Sequence, residues 1–310
     1  MYIAVQSIEY DKSWLISPDG KIKNLSEKEL KQLCPLRPRY NIGFDRFQND
    51  SIQGVYLALS EEALKNVLEY QNYQYLGTYD LLLTFNHEMF HQLEQDKNWA
   101  SPDQIANRSR NPGFERTAAR IARYQIYRQL LEAYSAETIE QRDSLILQLL
   151  SNYQHYKETY PEDYKAAKYF DRIEGTAHYY EMISSLYSAY PQQVHSTETL
   201  QNALKTFAQN NGIKPYEAPG VDNESYVLGA WTGFLLNEIQ EDNSQWKNEI
   251  MQHPDLTPLD ILAEIYEDQP LPSPTEPTKA TEENVKAAIQ EINDKKTAPG
   301  IFRMLYQLVF

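Results

Sequence analysis

The stretch from Thr78 to Gln95 is apolar on most of its circumference, with Leu81, Leu82, Leu83, Phe85, Met89, Phe90 and Leu93, yet it contains His87, Glu88 and His91. A helix with apolar residues on most sides is a buried one. The pattern predicts a single interior helix from Thr78 to Gln95, starting after a break at Gly77. Polar side chains carried into an interior are costly unless they find partners there. Residues four apart on a helix stand one above the other, so His87 and His91 present two imidazoles on one face. In this H-E-x-x-H pattern the paired imidazoles grip one metal ion, and the intervening Glu88 stands where it can deprotonate a metal-activated water. The metal would satisfy the buried polar groups that the helix otherwise leaves unexplained.

Composition limits what such a site can be made of. With six histidines and one cysteine, its ligands must be imidazole, carboxylate and water. Cys34 cannot form an internal disulfide, no CxxC pair exists, and a lone thiol of this kind reads as a small buried hydrophobe. The chain of 310 residues is long enough to bury a full core, as one large domain or two closely packed ones. Its hydrophobic content of 41% and charged content of 24% are those of a globular protein in water. A net charge of −15 argues against a sequence-independent grip on DNA or RNA and against adsorption to an anionic membrane. No run approaches the roughly 18 apolar residues of a membrane span. The start, MYIAVQSIEYDKSW, has no basic segment followed by a long apolar stretch, so the expected location is cytoplasmic. Removal of an export signal ahead of Met1 would make it secreted or surface-anchored instead.

Around this helix the chain reads as a small sheet followed by helices. The first 60 residues look like strands and turns, with Tyr2 to Tyr10, Ser13 to Ile16 and Gly54 to Leu59 as strands and Pro18-Asp19-Gly20 as a turn. Ser60, Glu61 and Glu62 read as the capped start of a helix through Tyr70. Ser101 to Gly113 is polar and reads as a loop. Helices are predicted near 115–135, 138–158, 161–189, 197–210, 223–241 and 257–267, with Pro161 at a helix start. The proline-rich Asp268 to Ala280 reads as an extended linker, before a last helix from Glu282 to Lys296 and an apolar tail from Phe302 to Phe310. The implied organisation is residues 1–100 for the sheet and the H-E-x-x-H helix, 101–267 for a helical subdomain, 268–280 for the linker and 281–310 for the C-terminal helix and tail.

A catalytic zinc site usually takes three protein ligands. The candidate source of the third is Arg172-Ile173-Glu174-Gly175-Thr176-Ala177-His178-Tyr179-Tyr180-Glu181, inside the long helix over 161–189. Glycine within a helix costs roughly 1 kcal/mol relative to alanine, so Gly175 suggests close approach, here to the H-E-x-x-H helix. Glu174, His178 and Glu181 share one face by their spacing, and Glu181 or His178 stands as an alternative to Glu174. A solvated stripe is the bland reading of all three.

Together these two segments resemble the gluzincin metallopeptidases, in which H-E-x-x-H is completed by a glutamate on a second helix. The E-G-T-A-x-Y-x-E stretch is similar to the glutamate motif of several bacterial branches of that clan. The resemblance implies an α+β, zincin-like fold: a small N-terminal sheet, then a mainly α-helical bundle carrying the metal site. It implies one Zn2+ per chain on His87, His91 and Glu174, with Glu88 as general base. The G-x-M-E-N motif of the aminopeptidase branch has no counterpart here. In thermolysin-like members an aspartate four residues after the ligand glutamate supports a zinc-bound histidine; here that position is His178.

Tyr226 heads an apolar stretch with Gly229 and Gly233 at four-residue spacing, which reads as a close helix contact. Its hydroxyl is a candidate to stabilise the oxyanion of a substrate carbonyl, beside a plainer reading as a core tyrosine. Tyr179, Tyr180 and His195 are weaker candidates for that role, and His155 and His253 read as surface histidines. The expected activity is zinc-dependent hydrolysis of peptide bonds in a peptide or protein substrate, endopeptidase rather than exopeptidase. By resemblance, Gly54 to Leu59 is the sheet edge offered to an extended substrate. Two rival readings stand beside it: a metal-binding module without hydrolysis, and a helical interaction protein with a chance H-E-x-x-H.

Overall fold

In the computed structural model, residues 2–7, 12–34, 43–48, 51–59, 80–95, 99–109, 117–189, 191–192, 196, 198–204, 221–240 and 242–297 are described. The fold is α+β, a small mixed sheet with helices making up most of the rest. The chain divides into two units. One comprises Met1–Asp96 with Tyr180–Val194, the other Lys97–Tyr179 with His195–Phe310.

The first unit holds a five-stranded sheet in the order β3-β2-β1-β5-β4. Its strands are β1 (Tyr2–Ser7), β2 (Lys12–Ile16), β3 (Ile22–Leu25), β4 (Gly43–Gln48) and β5 (Gln53–Leu59). β1 runs parallel to β5, and the other neighbours are antiparallel. Gly20, at φ +78°, closes the expected turn between β2 and β3, and its N–H donates to Ser17 O at 2.9 Å. Gly54 to Ala58 are all buried, as a central strand requires. That placement corrects the expectation that this segment is a free edge: β1 and β4 take both sides of it, and the edges are β3 and β4. Helix α1 (Glu27–Leu33), which strand-and-turn reasoning passed over, is started by a reciprocal cap between Ser26 and Glu29. It lays Leu30 and Cys34 into a core with Ala4, Phe47, Tyr56 and Ala58. Cys34 is the buried thiol its isolation suggested. α2 (Asp80–Leu93), the H-E-x-x-H helix, packs against β5.

The second unit is helical. It contains α3 (Pro102–Asn107), α4 (Thr117–Tyr134), α5 (Ile139–Thr159), α7 (Val221–Ile239), α8 (Gln245–Gln252), α9 (Pro258–Ile265) and α10 (Lys279–Thr297). The 29-residue α6 (Pro161–Ala189) begins here, and its last turns belong to the first unit. α3 sits where a loop was expected, because Ser101 caps it and Pro102 fills its first position. α8 was also unforeseen; only Trp246 and Ile250 of it are buried, too few to show a periodicity. Residues 198–204 are helical, and the rest of the helix expected over 197–210 lies outside the described residues, as do that over 61–70 and the tail from Phe302. The proline-rich segment runs extended, tied to α4 and α5 through Ser151 to Pro272 O, Gln148 to Ser273 O, and Gln125 and Asn152 to Thr275. It leads into α10, whose Val285 and Ile289 pack on Ile121 and Tyr124 of α4.

Two features fix α6 within this unit. The first is a buried charged cluster: Arg120 and Arg123 from α4, Asp163 and Asp171 from α6, and Glu224 from α7. Arg120 pairs with Asp163 and Glu224. Arg123 reaches Asp171 through two nitrogens at 2.6 and 3.1 Å and Glu224 at 2.7 Å. Burial opposes the charge of Arg123, but Asp171 and Glu224 outweigh it and hold its pKa well above the ordinary value. The second is a backbone contact at Gly175 and Gly229. A Cβ on Gly175 would lie 2.6 Å from Gly229 Cα and 2.9 Å from Ser225 O, so α6 and α7 meet with no room for a side chain. Gly175 therefore serves the approach of α6 to α7 rather than to the H-E-x-x-H helix. Among the described residues, no helix is long and apolar enough to cross a membrane.

Candidate metal centre

Near the end of α2 one helical turn separates His87 from His91, and both are buried, at 4% and 9% exposure. Their Nε2 atoms lie 2.9 Å apart, with the rings nearly perpendicular at 84°. Each ring turns its Nδ1 the other way, His87 toward Glu181 Oε2 at 2.9 Å and His91 toward Gln95 Oε1. A carboxylate only accepts, so the His87 proton sits on Nδ1; the amide oxygen of Gln95 asks the same of His91. With both protons on Nδ1, the two Nε2 atoms turn their lone pairs toward each other, an arrangement that a shared cation would stabilise.

Glu174 completes the group. One ligand atom from each of His87, His91 and Glu174 lies within 4.8 Å of the other two, and all three residues are buried. Bonds of about 2.0–2.2 Å to a tetrahedral ion place ligand atoms roughly 3.3–3.6 Å apart, a separation of the same order. Glu174 and Glu181 are each only 6% exposed. Two carboxylates removed from water in this way call for positive charge beside them. The group can hold a divalent metal; imidazole and carboxylate together suit zinc and also iron, copper or nickel.

The three-residue face of α6 separates into three tasks. Glu174 joins the histidine pair, Glu181 holds His87, and His178, 8% exposed, meets the edge of the Tyr226 ring at 5.7 Å between centroids. Since all three are buried, they are not a solvated stripe. Immediately before the functional residues, Phe90 of α2 and Tyr180 of α6 stack with centroids 4.8 Å apart and planes 25° apart. The stack sets the registration at which Glu181 meets His87.

Glu88, between the two histidines, is half-buried. Tyr226 is half-buried on α7 and is brought to His178, one turn of α6 beyond Glu174. Tyr179 is a core residue: its hydroxyl accepts from Asn237 at 2.8 Å, and its ring packs on Phe234 and Trp246. His155 and His253 are exposed, as expected, and His195 lies outside the described residues. Gln95 was missed by sequence reasoning, although its signal was present, four residues beyond His91 on the same helical face. Compared with protein-family models, curated proteins and solved structures, the chain finds no match.

Proposed function

We propose that this protein is a zinc-dependent metallopeptidase of zincin-like architecture that hydrolyses peptide bonds, endopeptidase in preference to exopeptidase. The observation that supports this reading most is the convergence of His87, His91 and Glu174, a His2Glu set spread over two helices and buried together. The half-buried Glu88 in the middle of the histidine pair adds a base at the position that hydrolysis requires. Zinc bound by this trio would supply the Lewis acidity that polarises a scissile carbonyl and acidifies a water. Glu88 takes the proton of the attacking water and returns it to the leaving amine. His178 and Tyr226 provide an imidazole and a phenol close together, and Tyr226 is the candidate donor to the developing oxyanion.

Metal analysis and a quenched peptide library test the reading. The purified chain is expected to retain about one zinc, as such three-ligand sites do, and to lose it in both His87→Ala and Glu174→Ala. Glu88→Gln is expected to keep the zinc while turnover falls by about 100-fold or more. A chain that binds no metal, or a Glu88→Gln variant with full activity, overturns the proposal.

A further inference from the structure

Resting on that reading, the geometry points to Glu181 as the positioning residue of the metal centre, the carboxylate that orients His87 for the metal, with Gln95 doing the lesser part for His91. A histidine ligand binds metal through one nitrogen while the other donates to a partner that fixes tautomer and ring orientation, and an anionic partner makes the imidazole a stronger donor. His87 has that anionic partner in Glu181 at 2.9 Å, and His91 has the neutral amide of Gln95.

The two supports differ in origin. Gln95 follows His91 by four residues, so α2 orients His91 by its own helical geometry. Glu181 comes from α6, so this support reaches His87 Nδ1 from a second helix. Glu174 and Glu181 are seven residues apart, two turns along the same face of α6. One helix thus delivers the third ligand and the group that aims the first. The Phe90–Tyr180 stack, immediately before Glu181, holds the last turns of α6 on α2. The side chain seven residues beyond Glu174 takes the supporting role, while His178, four residues beyond it, turns to Tyr226.

The test measures zinc dissociation constants on the full chain by competition with a chromophoric chelator, together with the visible absorption of the cobalt-substituted protein. Circular dichroism and thermal unfolding of the metal-free forms serve as the structural control. Glu181→Gln keeps shape and an acceptor oxygen but removes the charge; it is expected to weaken zinc about 10- to 100-fold and to alter the cobalt spectrum, with metal-free unfolding unchanged. Gln95→Ala is expected to weaken zinc less than Glu181→Gln does. If Glu181→Gln does not fold, Glu181→Asp, which draws the carboxylate back by one methylene, is expected to show the same loss. Zinc affinity within about twofold of the unsubstituted chain in the folded Glu181 variant overturns this inference alone. An unsubstituted chain that binds no zinc overturns it together with the proposed function.

Discussion

Asp260 shows at the scale of one residue how this protein places charge. It caps α9 by accepting from the Thr257 backbone N–H at 3.0 Å, and it also accepts from Tyr153 at 3.0 Å and Lys157 at 3.1 Å. Burial pushes its carboxyl pKa up, but Lys157, Lys168 and the Thr257 N–H outweigh burial and hold it below the ordinary 3.8. A folded pKa below the unfolded one means stability that is present above the unfolded value and lost as pH falls through the folded value. Asp260→Asn is therefore expected to cost about 1.5–3 kcal/mol at neutral pH, the range for hydrogen bonds to charged groups. Urea unfolding of both proteins at several pH values checks the sign. The gap should be constant down to about pH 4 and close below it; a gap that widens in acid removes the charge from the explanation. Residue types announced the histidine pair plainly, because two imidazoles and a glutamate in a greasy helix have few other uses. Arg120 and Arg123 gave no such notice. Two arginines on a helix read as solvated, and only the acids of α6 and α7 make them interior residues.

Helix contacts decide which element positions the site. Gly175 and Gly229 touch backbone to backbone, whereas Gly233 faces the rings of Tyr179 and Trp246, at 2.8 and 3.0 Å from a Cβ placed there. Backbone cannot step aside, whereas the buried rings of Tyr179 and Trp246 are side chains that can rotate, at the cost of disturbing their packing. Gly229→Ala is expected to destabilise by about 1–3 kcal/mol or more, as overpacking does, and Gly233→Ala by less. Denaturant midpoints of the two variants check the order, and equal losses would mean that the α6–α7 approach is looser than described. Zinc affinity should fall with stability in Gly229→Ala, since α6 carries both Glu174 and Glu181. Long periodic helices were legible in the sequence: α4, α5, α6 and α7 begin and end within about two residues of their expected places, as does the eight-residue α9. The other short ones were not. α1, α3 and α8 are built by caps and a few buried side chains, and a segment of six to eight residues offers too few turns for a pattern to repeat.

For the whole molecule, a metal bound by the folded chain alone must raise its stability. At a free zinc concentration about 1,000 times Kd, the unfolding free energy is expected to rise by about 4 kcal/mol. Thermal unfolding with zinc and with chelator measures the increment, which should vanish in Glu174→Ala; an equal shift in that variant would place the zinc elsewhere. The sheet illustrates what strand-level reading leaves open. Gly54 to Ala58 is apolar enough to be a strand from composition alone, but whether it stands at an edge depends on β4, which pairs with it from residues earlier in the chain. The sequence by itself determined that α2 is a helix with two imidazoles one turn apart, and that α6 bears Glu174, His178 and Glu181 on one side; the expectation that α2 is buried on most sides fails at its end, where Leu93 is 46% exposed. Periodicity settles both, because it depends only on spacing along the chain. Which of the three meets the histidine pair was decided by tertiary structure alone. A helix defines its own faces but not which neighbour each face meets, and within the second unit Gly175 against Gly229 and charges drawn from three separate helices fix α6 against α4 and α7.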